Sequence, residues 1–240
     1  MIYGFVAMAL KYSIVTALYN HKYRLPVYIK ALRKQTLQNF EVHFCDDCSN
    51  DGTKEFFASK PDLGFPYQYH RLRFKWGIRL AQSINKGIKN AKGEYCVFIM
   101  GDSFPETNFL EVIDKHAHPD KILCGIRVNV ENNKVVEFDW RLRKNPILQK
   151  TVLLPKNPFI YLTGNGLVVP TEAFRKYGGW NVKYKGYGGE DNELIMRLYY
   201  KGYLAYSIHD AVIYHWYHRA SPSTKRNLEL NEKYLEQYAQ

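Results

Sequence analysis

The most constraining feature of this chain is the alternation of strand and helix patterns through its first hundred residues. "YSIVTAL" (12–18) is apolar and β-branched and stops at "YNH". "LPVYIKALRKQT" (25–36) sets Leu25, Ile29 and Leu32 at helical spacing behind Pro26. "EVHFC" (41–45) alternates, then breaks at the turn-rich "DDCSNDGT", and "TKEFFASK" opens a helix. "YQYHRL" (67–72) reads as a short strand. Ala81, Ile84, Ile88 and Ala91 form one apolar stripe, with Gly93 suited to cap that helix. "YCVFIM" (95–100) is a continuous apolar run of the kind a central parallel strand needs. Such a β-α-β-α-β-α-β order predicts a parallel sheet with helices on both faces. Ligands of such sheets sit at the carboxyl ends of the strands. Those ends read "TALYNH", "CDDCSNDGT" and "MGDSF".

The second half is less regular. "KILCGIRVNVENNKVVEFDW" predicts a hairpin turning at "ENNK". "LTGNGLVVPTEAFRKYGGWN" combines a Gly/Asn turn, a strand and a short helix. "GYGGEDNELIMRLYYKGY" predicts a helix closed by Gly202, "LAYSIHDAVIYHWYHR" a last strand, and residues 221–240 a tail helix. No repeat or linker divides the 240 residues, and 46% hydrophobic content is enough for a sizeable core, so one α/β domain is expected.

A formal charge of +11 favours polyanionic partners or a generally basic surface. The densest basic stretch is Arg141 to Lys150, which keeps nucleic acid among the possible partners. Cys45 and Cys48 form C-x-x-C, but no second pair or His pair completes a zinc site, so the four cysteines read as reduced and mostly buried thiols. "MIYGFVAMAL" is too short to cross a bilayer and lacks a basic leading segment. It reads as a lead-in to the first strand, in a cytoplasmic protein with no transmembrane segment.

No phosphate-binding glycine fingerprint follows the first strand, which counts against a dinucleotide or P-loop enzyme. The strand ends offer carboxylates instead, which suit a divalent cation or the donor groups of a base or ribose. A cation could bridge a diphosphate, with Arg79 neutralising the remaining charge. Asp46, Asp47 and Asn50 suit either ligand binding or turn-forming and capping chemistry. Asp102 suits a cation or a helix cap. In "GYGGED" the glycines permit close approach and the following helix start favours negative charge, so a fixed, ionised carboxylate facing a bound molecule is expected.

"YSIVTALYN", "LRKQTLQNFEVHFCDDCSNDGT", "INKGIKNAKGEYCVFIMGDS" and "GGWNVKYKGYGGEDNELIMRLYYKGY" follow in an order that resembles the family 2 glycosyltransferases, over about residues 12 to 218. The resemblance implies a GT-A fold, a Rossmann-like mixed sheet flanked by helices. It implies a nucleotide-sugar donor held by about residues 1–104 and an acceptor by about 105–220. It places Thr16, Ala17, Tyr19, Asp46, Asp47, Arg79, Gly101 and Asp102 at the donor. The family's D-x-D metal motif stands here as Met100-Gly101-Asp102, its first acid replaced. A divalent metal, Mn²⁺ or Mg²⁺, would then rest on Asp102 and on His215, with His218 the near alternative. Asp191 takes the place of the catalytic base of an inverting transfer. Trp180, Tyr187, Gly188, Gly189 and Glu190 lie where the acceptor is bound. Uridine diphosphate is the commonest donor carrier in that family. The alternatives are the same chemistry on a hydroxylated DNA base and a binding module without catalysis.

Overall fold

The computed structural model describes residues 10–73, 79–132, 134–138, 150–154, 161–184 and 188–218. The first strand, β1 (Tyr12–Leu18), is buried along its whole length. Parallel to it run β2 (Phe40–Asp46) on one side and β4 (Tyr95–Phe98) on the other, and β3 (Tyr67–Arg71) extends the sheet beyond β2. The helices between them are α1 (Leu25–Arg33), α2 (Thr53–Ala58) and α3 (Leu80–Asn90).

Beyond β4 the sheet becomes mixed. β5 (Ser103–Pro105), α4 (Phe109–Asp114) and β6 (Lys121–Glu131) come next, and β6 turns back into β7 (Lys134–Phe138) as the expected hairpin. The short β8 (Val152–Leu153), then β9 (Leu167–Pro170), α5 (Thr171–Tyr177), α6 (Glu190–Tyr200) and β10 (Leu204–Trp216) complete the described elements. Along the main path the order is β3-β2-β1-β4-β9-β6-β10-β5, with β7 on β6 and β8 on β10. This is the mixed sheet that the family resemblance implies, parallel through β3-β2-β1-β4 as the alternation predicts and continuous through all the described strands.

Period-two alternation splits the core between the two faces. Ile14 and Leu18 of β1 pack with Leu25, Tyr28 and Leu32 of α1, Phe57 of α2 and Phe109 of α4. Val15 and Ala17 point the other way, to Ile84 and Ile88 of α3, Phe174 of α5 and Leu194 and Leu198 of α6.

Two local expectations differ. Helix α1 ends at Arg33, not at residue 36, because the backbone N–H of Thr36 turns away to the carbonyl of Thr107. Gly93 does not cap α3. The cap is Ala91 in an extended conformation, and Gly93 is absent from the positive-φ residues. Its role is space, since a Cβ at 93 would stand 2.6 Å from Ser13 N and from Tyr12 C. Gly202, at φ +92°, does close α6.

Candidate active site

β1, β2 and β3 build outward in one direction, and β4 starts again on the opposite flank of β1. The crevice at this reversal is where open α/β sheets bind ligands. Its floor is close-packed. The N–H of Gly101 donates to the carbonyl of Ala17 at 3.0 Å. A Cβ at 101 would lie 2.6 Å from His21 Nδ1 and 2.9 Å from the Ala17 oxygen.

The "DDCSNDGT" turn wraps the end of β2. Asp46 is fully buried, and its Oδ1 accepts from the N–H (2.9 Å) and Oγ (2.5 Å) of Ser49. Its Oδ2 accepts from the Tyr69 hydroxyl at 2.5 Å and Arg71 Nε at 3.1 Å. Both oxygens are therefore spent on holding the turn. Asp47 accepts the backbone N–H of Arg79 (2.7 Å) and its Nε (3.2 Å), so the basic residue ahead of α3 is tied to this loop. Asp51 binds the N–H and hydroxyl of Thr53 at the start of α2. Thr16 is also buried, its hydroxyl paired with that of Tyr28. Tyr19 sits at the rim, half-buried. All four cysteines are free thiols, with Cys45, Cys96 and Cys124 buried.

Asp102 stands just before β5, which pairs antiparallel with β10 and sets Ser103 opposite His215. That register brings His215 Nε2 to 3.6 Å and His218 Nε2 to 3.4 Å from Asp102 Oδ2. One ligand atom from each of the three residues falls within 4.8 Å of the others. Asn129 Oδ1 lies 2.9 Å from His215 Nδ1. With that oxygen accepting, Nδ1 carries a proton and Nε2 faces Asp102, as a donor to the carboxylate when the ring is protonated and as a metal-ligating lone pair when it is neutral. Burial alone would raise the Asp102 carboxyl, but hydrogen bonds from His215 and His218 and the nearby His21 outweigh it and hold it well below the usual carboxylate range. One ionised carboxylate and two imidazoles fit a divalent transition metal. Both histidines weighed from the sequence thus reach the same carboxylate, while Asn129, Ser103 and His21 were not singled out there.

Asp191 is the second residue of α6, behind Gly188 (φ +116°) and Gly189 (φ +85°), conformations that side chains resist. Its Oδ1 accepts the N–H of Asn192 at 2.9 Å and its Oδ2 the N–H of Gly164 at 2.8 Å. Leu194 and Leu198 are fully buried and anchor the helix beneath it. Glu190 is 4% exposed and accepts the N–H of Gly188 at 2.6 Å. Burial, and then the charge of Asp191, push its carboxyl up. Trp180 is 2% exposed and packs on Phe98, its ring centroid 5.3 Å away. Its buried indole N–H has no hydrogen-bond partner among the described residues. Tyr187, residues 141–149 of the basic stretch, and residues 221–240 lie outside the described residues.

The turn before β9 joins the two carboxylate groups. Gly164 holds Asp191, and the next residue, Asn165, donates from Nδ2 to Ser103 Oγ at 2.6 Å. Ser103 in turn donates to Asp102 Oδ1 at 3.2 Å, while Asn165 Oδ1 accepts the N–H of Met100 at 3.2 Å. Two adjacent residues therefore tie Asp191 to the Asp102 cluster through fixed hydrogen bonds. None of these partners follows from sequence spacing. The only signal for them is the Gly/Asn turn itself.

Residues 13–178 match the family model described as glycosyl transferase family 2, and residues 153–219 match one described as the N-terminal domain of galactosyltransferase. The putative glycosyltransferase EpsE of Bacillus subtilis is 27% identical over 212 residues, covering 84% of this chain and 71% of that protein. The structure of S. aureus TarS 1–349 in complex with UDP-GlcNAc superposes with a TM-score of 0.70 at 21% identity, over 88% of this chain and 60% of that one. GalNAc-T7 with UDP, GalNAc and Mn²⁺ gives 0.72 at 15% identity, over 96% of this chain and 50% of that one. These two structures share the GT-A fold with this protein, which spans only about half to three-fifths of each. With that family model matched over more than half of the chain, the chain belongs to glycosyl transferase family 2.

Proposed function

We propose that the protein is an inverting transferase that moves a sugar from a UDP-sugar to a hydroxyl of a saccharide, glycolipid or small-molecule acceptor. The observation that carries this reading is the Gly164–Asn165 turn, which links Asp191 to the Asp102 cluster by short hydrogen bonds. A donor in the crevice would lay its nucleoside along Ala17, Tyr19, Asp47 and Arg79, and its diphosphate toward Gly101 and Asp102. Thr16 and Asp46 act from inside, by shaping that wall. Residues to about 104 hold the donor, and about 105–220 hold the acceptor and lend His215 and His218 to the diphosphate. Trp180 and Glu190 shape the acceptor side from beneath, with Gly188 and Gly189 giving the close approach.

In the transfer step Asp191 takes the proton of the acceptor hydroxyl, and the oxygen's lone pair attacks the anomeric carbon on the face opposite the nucleotide. The bond from that carbon to the phosphate oxygen breaks, and its electron pair leaves on the diphosphate. Asp102, His215 and His218 would hold a divalent cation, which when bound neutralises charge on the departing diphosphate. TarS was solved with UDP-GlcNAc and GalNAc-T7 with UDP and Mn²⁺, which makes UDP-N-acetylhexosamines the first donors to test and Mn²⁺ the first metal. No helix among the described residues is long and apolar enough to cross a membrane.

Asp191→Asn tests the assignment. It keeps the shape and the hydrogen-bond acceptor for Gly164 but cannot take a proton. UDP binding, read by calorimetry, should persist while transfer falls about 10³-fold or more. Transfer at the parent rate would eliminate Asp191 as the base.

A further inference from the structure

Helix α3 packs closely on the sheet where Gly87 faces it. A Cβ there would stand 2.7 Å from Cys45 Sγ and 2.9 Å from Val15 Cγ1. The helix begins directly after Arg79, whose N–H and Nε bind Asp47 in the donor loop. Further along α3, Asn85 reaches the turn between α5 and α6. Its Nδ2 donates to the carbonyl of Trp180 at 2.8 Å, and its Oδ1 accepts the N–H of Trp180 at 2.8 Å. Two opposed hydrogen bonds to one residue fix orientation as well as distance. The approach needs glycine at 179, where a Cβ would fall 2.3 Å from Asn85 Oδ1.

The same turn is gripped from the other side. Arg197 of α6 donates to the carbonyls of Tyr177 (2.6 Å), Gly178 (3.1 Å) and Gly179 (2.6 Å). Glu193 holds that guanidinium at 2.9 Å. Each carbonyl from 177 to 180 is therefore engaged by a side chain of α3 or α6. Trp180 carries the constraint onward. A Cβ at Gly164 would lie 2.6 Å from Trp180 Cη2 and 3.1 Å from Asp191 Cβ, so the indole and the Asp191 side chain both pack against Gly164.

We propose that Asn85 is a positioning residue for sugar transfer. It aligns Asp191 with the donor by clamping Trp180 to the helix that starts at the donor-binding Arg79. This rests on Asp191 being the base. Asn85 itself touches neither substrate. Its contacts run through the buried Trp180 and Gly164 to the carboxylate, and close packing there transmits a displacement rather than absorbing it. A misplacement on the order of 1 Å at a reacting group costs roughly 100-fold in rate with little effect on donor affinity.

Asn85→Ala is the direct test, read as UDP release from UDP-N-acetylglucosamine with water or a methyl glycoside as acceptor, together with UDP affinity and amide hydrogen exchange. The expected result is UDP affinity within about twofold of the parent, kcat lower by about 10- to 100-fold, and faster exchange at Trp180 and Gly164. A purely structural role would lower the melting temperature but leave kcat and the exchange at Gly164 unchanged. Asn85→Asp keeps the acceptor for the Trp180 N–H and loses the donor, so an intermediate loss is expected. It decides the matter if the alanine variant does not fold. Unchanged kcat in either folded variant, or a loss of UDP affinity equal to the loss of rate, overturns the proposal. Asp191→Asn is measured alongside. Full activity there sinks the base assignment, while the exchange readout still tests the clamp.

Discussion

At the scale of single residues, burial separates acids that build the site from acids that face it. Asp46 has no exposed surface and four hydrogen bonds, so removing its charge strands Arg71 and loosens Ser49. Asp46→Asn should lower the unfolding free energy by about 2–3 kcal/mol, discounted because Arg71 is partly in solvent, and urea denaturation checks it. Glu190 gives a pH signature. Its carboxyl rises from 4.5 when unfolded to about 8 when folded, first through burial and then through Asp191. The folded state therefore binds the extra proton, and stability falls as pH climbs from about 4.5 to about 8. Glu190→Gln, which keeps an acceptor for Gly188, should flatten urea midpoints across pH 5–8, a window set by that linkage of about one proton. A slope that survives the substitution assigns it to another group. Asp102 and Asp191 stood out in the sequence because Asp102 directly follows Gly101 and Asp191 lies just past the Gly188–Gly189 pair, each at the edge of a predicted element. Asn129, Asn165 and Asn85 did not, because the same residue type serves equally well in any loop.

At the scale of elements, periodicity carries most of the information. The stripe on α3 specified which of its faces is buried and the apolar runs of β1 and β4 specified buried strands, and the core follows them. Boundaries and glycine roles were less legible, since they depend on what lies across the gap. Gly93 and Gly202 illustrate this. Both follow helices, yet Gly202 has a left-handed φ and open space, while Gly93 abuts the backbone of β1. Gly202→Ala should cost about 1–2 kcal/mol, the strain of that conformation. Gly93→Ala has no such strain and should still cost about 1–3 kcal/mol or more, because strand and turn must separate. Thermal and urea melts of the two variants check the order, and equal, small losses would restore Gly93 to a capping role.

At the scale of the molecule, the proposed donor crevice draws on both halves of the chain. β1, β2 and β4 supply its floor, while β10 brings back His215 and His218. Ligand binding should therefore stabilise the fold as a unit. A UDP-sugar at a hundred times its Kd with Mn²⁺ should add about 2.7 kcal/mol, seen as a rise in melting temperature that chelator removes. A rise that chelator leaves intact would mean that Met100 marks a site where donor binding no longer needs a cation.

What the sequence determined by itself is the longer elements and their order, without the short strands β5 and β8, because hydrophobic period and turn chemistry act over a few residues and are written there directly. It also carried the two carboxylates, through glycines beside acids. What only the tertiary structure decided is which side chains meet. The pairing of β5 with β10 set His215 beside Asp102, and one turn joined that cluster to Asp191. Asn85 and Trp180, ninety-five positions apart, came together for the same reason. Such contacts depend on the packing of distant segments, and no local pattern along the chain encodes them.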